Sequence, residues 1–252
     1  MKITRRTVSF LQRLFACALV SASSLALADD GLDIVVYGAT GKVGTHVVQE
    51  ALERGHNVTA VSRRPAQITA QHVNLSAVKG DLLDETSVAD IVTGADVVIV
   101  SVRGVIGNSD KPESALQYMA AEMLVDVLHK LGPDAPRLLH VGGSGTLEVE
   151  PGVTFAAKLP TILLPRGLEI EILGQMLALE FLGKVDDVNW TYVTPPKNFT
   201  NGPRTAEFRI GGAVALKDGR GRTRLSRADF AVALIDEAER AAYPRQRISV
   251  AY

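Results

Sequence analysis

Residues 33–44 read Asp33-Ile34-Val35-Val36-Tyr37-Gly38-Ala39-Thr40-Gly41-Lys42-Val43-Gly44, a short apolar strand that runs into a glycine turn and then a helix. Gly38 permits the sharp turn, Gly41 lets the backbone approach a pyrophosphate, and Gly44 allows the helix to pack closely on the sheet. The free N–H groups and the positive dipole end of such a helix suit phosphate groups. The stretch therefore predicts a dinucleotide-binding loop, which also includes Thr40, Lys42 and Val43.

The end of the second predicted strand indicates which dinucleotide binds. This strand covers residues 57–62 and is followed by Arg63, Arg64 and Pro65. Sites that prefer NAD usually carry a carboxylate here for the ribose 2′-hydroxyl, whereas guanidinium groups suit the 2′-phosphate of NADP. Arg63 and the missing acid therefore favour NADP over NAD. The alternative is a solvated arginine pair in a surface loop.

Strand and helix patterns alternate along the rest of the chain. They predict an α/β fold for residues 29–252: one NAD(P)-binding domain with a Rossmann-type doubly wound parallel sheet and a small cap on the substrate side. The nearly unbroken apolar run at 95–102 is typical of a parallel strand covered on both faces. After a turn-rich segment at 197–224, the spacing of Ser226 and Asp229 predicts a capping box that opens a last helix at 230–242. A strand at 247–250 is predicted to close the sheet.

The first 28 residues have the layout of a secretory signal peptide. Basic residues come first, an apolar run from Leu14 to Val20 follows, and Ala26-Leu27-Ala28 forms a small-x-small cleavage site. We predict export to a bacterial periplasm, by the Sec or the twin-arginine route, and no stable membrane span after cleavage. If the leader is retained, the protein is instead cytoplasmic or anchored by its N terminus.

Charge and composition exclude several classes of function. The chain has a formal net charge of −1, and removal of the four basic leader residues makes residues 29–252 more acidic. This balance, without a basic stripe, argues against a nucleic-acid partner. Cys17, the only cysteine, lies in the leader, and the five histidines are scattered, so no metal site is predicted. We expect a small-molecule acceptor as partner and a monomer or homodimer.

Ligands of doubly wound sheets bind beyond the carboxyl ends of the strands, so the residues that follow each predicted strand are site candidates. Asp81 suits hydrogen bonding near the adenine, although it also suits capping of the next turn. Arg103 is placed to contact phosphate or an anionic acceptor, or lies in a surface loop. Asn198 and Phe199 are candidates for the acceptor pocket, because an aromatic ring there would stack on an isoalloxazine. The remaining cofactor-binding candidates are Ser101, Gly142 and Thr194.

Together these segments resemble the atypical short-chain dehydrogenase/reductases, specifically the NmrA-like NAD(P)H-binding proteins. The resemblance covers the whole mature chain, and the segments that carry it are 38–44, Gly80-Asp81, 141–149, 189–192 and 226–231. Residues 141–149 and the C-terminal Arg-Gln-Arg-Ile-Ser-Val-Ala-Tyr look most like the NADH-flavin reductase subgroup. The resemblance implies a bound nicotinamide cofactor and hydride transfer to a flavin or quinone.

The chain departs from the wider superfamily in its catalytic residues. None of the five tyrosines is followed four residues later by lysine, so the Tyr-x-x-x-Lys pair that supplies a general acid is missing. A flavin, quinone or similar planar acceptor needs less, because it is electron-poor and positioning supplies much of the rate. FMN or another flavin is therefore an expected substrate. Ser144, at the position of the superfamily's catalytic serine, and Glu169 or Glu171, on the helix that normally carries the pair, are the catalytic candidates.

Two further functions stay open. A cofactor site without the Tyr-Lys pair also fits a non-catalytic NADP(H)-binding sensor or regulatory protein. Outside the cytoplasm no pool replenishes reduced nicotinamide, so an exported protein also fits an epimerase-like enzyme that holds NADP tightly and re-oxidises it in each cycle. Binding without turnover indicates the sensor, whereas slow cofactor release indicates the closed cycle.

Overall fold

An eight-stranded sheet with helices on both faces forms the centre of the protein. The computed structural model describes residues 31–107, 109–160 and 164–252, so the predicted leader lies outside the described residues. The helices there are α1 (Gly44–Glu53), α2 (Glu85–Val92), α3 (Leu116–Leu131), α4 (Arg166–Leu182) and α5 (Arg227–Arg240). The strands are β1 (Asp33–Tyr37), β2 (Asn57–Ser62), β3 (Leu75–Lys79), β4 (Val97–Val100), β5 (Arg137–Val141), β6 (Glu148–Glu150), β7 (Val153–Thr154), β8 (Trp190–Thr194), β9 (Asn198–Thr200), β10 (Arg209–Gly211), β11 (Arg224–Ser226) and β12 (Gln246–Ala251).

The strand order of the large sheet is β10-β12-β8-β5-β4-β1-β2-β3. Every pairing from β12 to β3 is parallel, and β10 adds an antiparallel edge. The chain runs outward in one direction from β1 to β3 and in the other from β4 to β12, which places the ligand-binding crevice between β1 and β4. The predicted Rossmann-type, doubly wound fold is therefore confirmed.

The core has two halves, one on each face of the sheet. Along β4, Val97 and Ile99 pack on the side of α1 and α5, whereas Val98 and Val100 pack on the side of α2, α3 and α4. Successive side chains of a strand point to opposite faces, so a strand with both faces covered must be apolar throughout. This explains the unbroken apolar run in the sequence.

The C-terminal part differs from the prediction in two places. Helix α5 begins at Arg227, three residues before the predicted start, because the Ser226 side chain accepts a hydrogen bond from the Asp229 amide and caps the helix. The predicted closing strand, β12, is also not the edge of the sheet. Residues of the turn-rich segment form β10, in which Arg209 pairs with Ala251 of β12.

Two small sheets lie outside the large one. Strands β6 and β7 form an antiparallel pair, and β9 pairs in parallel with β11. Phe155, next to β7, and Phe199, in β9, line the larger pocket described below, and the sequence predicts a small cap on the substrate side. In the part of the chain that the structure describes, every helix falls short of the length and apolar character that a membrane span requires.

Candidate functional site

The glycine loop after β1 packs closely against the end of β4 and against itself. Gly38 has a φ of +80°, and a Cβ at this position would lie 2.2 Å from the carbonyl oxygen of Ser101 at the end of β4. The Gly41 amide donates to the Gly38 carbonyl at 2.8 Å. A Cβ at Gly44 would lie 2.1 Å from the same Gly38 oxygen, so this glycine makes room for the loop itself rather than for packing of the helix on the sheet.

Helix α1 presents an open N-terminus beyond this loop. Its first turn carries no acidic residue, and no side chain caps it. By contrast, Asp84 caps α2 and Ser226 caps α5. The first N–H groups of an α-helix have no partner within the helix, and together with the dipole they form an anion site. The loop and helix therefore fit the diphosphate of a dinucleotide.

Two adjoining pockets lie along the carboxyl edge of the sheet. The smaller one, of about 260 Å³, lies at the carboxyl ends of β1, β2 and β3. Arg63 and Arg64 line it with exposed side chains, and within the described residues no carboxylate lies within 4 Å of either guanidinium. The Ser62 hydroxyl, which stands at the end of β2, accepts a hydrogen bond from the Arg64 amide at 3.1 Å. Asp81 also lines the pocket, and one of its carboxylate oxygens accepts from the Leu83 amide at 3.0 Å. Both suggested roles of Asp81 thus remain compatible with its position.

A larger pocket of about 620 Å³ adjoins the smaller one. Both are lined by Gly41, Ser101, Val102 and Arg103, so they form one continuous cleft along the carboxyl edge of the sheet. The larger pocket is also lined by residues from the loop after β5, the first turns of α4 and the segment after β8. The cleft thus begins beside the arginines after β2, passes the glycine loop and widens over β5 and β8.

An ion pair crosses the larger pocket. Arg103, whose side chain is 75% exposed, donates to Glu171 at 2.7 Å, and the Glu171 side chain is 11% exposed. Of the two glutamates considered from the sequence, Glu171 lines the pocket, whereas Glu169 pairs with Arg166 at 2.8 Å and is not among the lining residues. Glu171 therefore replaces Glu169 as the candidate on α4, since the helix turns 100° per residue and presents a different face to the cleft.

Two buried rings support the floor of the larger pocket. His140 and Tyr192 stack with ring centroids 5.3 Å apart. The Tyr192 hydroxyl donates to the carbonyl of Gln175 at 3.0 Å, and burial raises its pKa. Burial lowers the pKa of His140 to about 4, so its imidazole is neutral at physiological pH. A Cβ at Gly142 would lie 2.1 Å from the Tyr192 ring, and this glycine therefore lets the ring lie directly beneath the pocket.

The other candidates differ in how closely they approach the cleft. Ser144 and Phe199 line the larger pocket, whereas Asn198 is exposed and is not among its lining residues. Thr194 is fully buried, and its hydroxyl has no hydrogen-bond partner among the described residues. Lys42, Val43 and Gly142 line the larger pocket, Gly38 and Thr40 line the smaller one, and Gly44 is the first residue of α1. In the described part of the chain, His, Cys, Asp and Glu side chains form no cluster of three or more that suits a metal ion.

Several lining residues were not named as candidates from the sequence, among them Phe155, Gln175, Lys197 and Arg227. Lys197 directly follows Pro195 and Pro196, which also line the pocket. The rule that ligands bind beyond the carboxyl ends of the strands could therefore have identified Lys197 as a candidate. Phe155 lies in an irregular segment without a periodic signal. Whether Gln175 reaches the pocket depends on which face α4 turns toward it. Whether Arg227 reaches the pocket depends on where α5 begins.

The glycine loop, the open N-terminus of α1 and the cleft beyond them have a shape that suits a dinucleotide. Residues 38–240 match the family model described as NAD(P)H-binding. The chain belongs to this NAD(P)H-binding family. The match covers most of the described chain, from the glycine loop to the end of α5.

Three solved structures are similar to the chain over nearly their whole length. A Burkholderia pseudomallei protein, provisionally named an exported protein, is 34% identical with a TM-score of 0.72, covering 88% of this chain and 100% of that one. A provisionally named epimerase of Bacteroides thetaiotaomicron is 30% identical with a TM-score of 0.76, covering 88% and 98%. A provisionally named NADH-flavin reductase of Streptococcus pneumoniae TIGR4 is 28% identical with a TM-score of 0.72, covering 88% and 99%. Together with the family match, they confirm an atypical short-chain dehydrogenase/reductase of the NmrA-like type.

Proposed function

We propose that the protein is an NADPH-dependent reductase of a flavin, quinone or similar planar acceptor. The observation that carries this proposal is the continuous cleft, in which a cationic dinucleotide site opens into an apolar pocket large enough for a fused-ring acceptor. A nicotinamide bound there would supply the hydride. The similarity to the Streptococcus pneumoniae protein supports the same reaction class.

The residues of this chain hold the cofactor by charge and by shape. The open N-terminus of α1 and the backbone of the glycine loop would bind the diphosphate. Arg63, with Arg64 beside it, would bind the 2′-phosphate, because both guanidinium groups line the smaller pocket without a carboxylate partner among the described residues. A carboxylate in place of Ser62 would repel that phosphate. NADP is therefore the preferred cofactor, and NAD the alternative.

The larger pocket positions the acceptor mainly by apolar contact. Phe155, Leu159, Ile172 and Phe199 supply its apolar walls, and Ser144 and Gln175 add hydrogen-bonding groups. Neither Tyr192 nor His140 is placed to protonate a ligand, since both side chains are buried beneath the pocket. A reduced flavin or quinone can take its proton from water, so apolar stacking and orientation are sufficient for this chemistry.

Tyr192→Phe is expected to keep the kcat of acceptor reduction within about threefold of the wild-type value. The phenol is buried and bonded to the Gln175 carbonyl, so its loss removes one hydrogen bond, worth about 1 kcal/mol of stability, rather than a proton donor. Steady-state rates and thermal unfolding of the purified variant measure both effects. A loss of kcat of about a hundredfold with an intact fold would instead assign the missing general acid to Tyr192.

Oxidation of NADPH by the purified protein, with FMN, riboflavin or menadione as acceptor, tests the proposed function. Arg63→Glu is expected to lower kcat/KM for NADPH by about tenfold to a hundredfold, because a charge-assisted contact to the 2′-phosphate becomes a repulsion. The kcat/KM for NADH should change less than the kcat/KM for NADPH. Arg220→Glu is the matched control, since Arg220 is an exposed arginine outside both pockets. Equal losses for both cofactors would contradict the assigned role of Arg63.

A second function is supported by the similarity to the Bacteroides thetaiotaomicron protein. If this protein acts after export, as the predicted leader and the similarity to the Burkholderia pseudomallei protein suggest, an epimerase-like cycle with tightly held NADP avoids the need for fresh NADPH. NADP that stays bound through gel filtration, without turnover of any acceptor, would favour this cycle or a sensor. Sustained NADPH consumption would favour the reductase.

A further inference from the structure

We propose that the larger pocket contains a subsite for an anionic group of the acceptor, formed by Lys197 and Arg227. This inference rests on the proposed reductase function, because it specifies the chemistry of the acceptor. The acceptor would be a planar apolar molecule that carries a phosphate or a carboxylate at one edge.

The charge that lines the larger pocket is strongly unbalanced. Four cations line it, namely Lys42, Arg103, Lys197 and Arg227, against a single lining carboxylate, Glu171. Glu171 is already bonded to Arg103 at 2.7 Å. The chain as a whole has a formal net charge of −1, so the excess of positive charge is a property of this pocket and not of the protein surface in general. Such a pocket raises the local concentration of anions.

Arg227 is held in place by uncharged groups, and neither Arg227 nor Lys197 is paired with an acid among the described residues. Among the described residues, no carboxylate lies within 4 Å of either cation, whereas Arg166, an exposed arginine outside the pocket, pairs with two. Arg227 donates to the side-chain oxygen of Asn201 at 2.6 Å and to the Phe199 carbonyl at 3.0 Å. Its orientation is therefore fixed while its charge stays uncompensated, as a preformed anion site requires.

The position of Arg227 along its helix adds a second argument. Arg227 is the first residue of α5, where the helix dipole is positive and a cation is unfavourable. The acidic residue of this turn, Asp229, directs its carboxylate to Thr205, Ala206 and Tyr252. An anion bound at Arg227 would compensate the guanidinium charge, which the helix dipole otherwise disfavours at this position.

Lys197 lies apart from the diphosphate site, and both cations lie beside aromatic rings. Lys197 follows β8, which is three strands from β1 in the sheet, a separation of about 14 Å at the usual strand spacing. Its ammonium group lies 5.7 Å from the centroid of the Phe155 ring, and the Arg227 guanidinium lies 5.2 Å from that of Phe199. The rings would stack on the planar part of the acceptor, and the cations would bind its acidic group.

Binding of FMN and riboflavin to the purified protein with saturating NADP⁺ tests this inference, because the two flavins share one ring system and differ in a phosphate. Quenching of flavin fluorescence gives both dissociation constants without any turnover. We expect FMN to bind about thirtyfold more tightly. Lys197→Met and Arg227→Met should each raise the dissociation constant of FMN about tenfold. The dissociation constant of riboflavin should change less than twofold. 10-Carboxymethylflavin in place of FMN distinguishes a carboxylate from a phosphate preference.

Lys184→Met is the matched control, since Lys184 pairs with Glu180 outside the pocket. Arg227→Lys should retain part of the FMN preference because it keeps the charge. Equal binding of the two flavins, or equal weakening of both by the variants, would overturn the subsite and leave the reductase proposal intact. If neither flavin binds, the flavin proposal fails. Calorimetric titration with pyrophosphate then decides the subsite: binding that Lys197→Met removes supports it, and absence of binding overturns it.

Discussion

Gly38→Ala is expected to destabilise the protein by about 3 kcal/mol and to weaken NADP(H) binding by at least about a hundredfold. Two effects add at this position. The residue has a φ of +80°, and the new methyl group would lie 2.2 Å from the carbonyl oxygen of Ser101. That oxygen belongs to the backbone at the end of β4 and cannot rotate away, so the loop must move out of its binding conformation. Thermal unfolding and a cofactor titration measure the two losses separately.

Gly94→Ala provides the matched control for this prediction. Gly94 has nearly the same backbone conformation, with a φ of +81°, but a Cβ there would have no neighbour within 4 Å. This variant should lose about 1 kcal/mol of stability from backbone strain alone and should bind the cofactor normally. If both variants lose the same stability and both bind NADP(H), the close approach of the glycine loop to β4 has no role in the site.

Much of the fold could be predicted because its signals are local. The apolar strand before Gly38 and the apolar run at 95–102 each reflect burial on both faces of one sheet, which a short window of sequence records. The antiparallel edge strand β10 carries no such signal. It is very short, and it exists because Arg209 to Gly211 pair with Ser249 to Ala251 of β12, far along the chain. Pairing over that distance depends on the assembled sheet.

The candidate site likewise combines residues that the local sequence predicts with residues whose position depends on how the helices and strands pack. The rule that ligands bind at the carboxyl ends of parallel strands was enough to predict that Arg63, Asp81 and Ser101 share one cleft, and all three line the smaller pocket. It could not choose between Glu169 and Glu171, because that choice depends on the rotation of α4. Gly174 fixes this rotation, since a Cβ there would lie 2.1 Å from the Cβ of Ala115 at the start of α3.

The capping motif of α5 illustrates how a correct local prediction can miss a larger role. Ser226 accepts from the Asp229 amide, as its spacing predicts. The Asp229 carboxylate, however, does not return to the backbone of Ser226. It binds groups far away along the chain, at Thr205, Ala206 and Tyr252. Asp229 thereby connects the helix, the loop before β10 and the C terminus.

Asp229→Asn is therefore expected to destabilise the protein by about 3 kcal/mol or more. The wild-type carboxylate is fully buried and accepts from the Thr205 amide at 2.6 Å, the Thr205 hydroxyl at 2.8 Å, the Ala206 amide at 2.8 Å and the Tyr252 hydroxyl at 2.6 Å. An asparagine directs its own N–H₂ group at some of these donors, so buried polar groups lose their partners. For a chain of this size, the loss corresponds to a fall in Tm of about 6–12 °C. Asp126→Asn, at an exposed pair with Lys130, should cost less than about 1 kcal/mol.

The pH dependence of this effect identifies the carboxylate as its origin. Burial raises the pKa of Asp229, but the hydrogen bonds from Tyr252, Ala206 and Thr205 outweigh burial and hold the pKa below its ordinary value. A depressed pKa stabilises the folded state above the unfolded value of about 4, and this stability is lost as the pH falls through the folded pKa. The difference in Tm between wild type and Asp229→Asn should therefore be full at pH 7 and shrink below about pH 4. A difference that stays constant down to pH 3 would mean that packing, and not the charge of Asp229, holds the loop, the helix and the C terminus together.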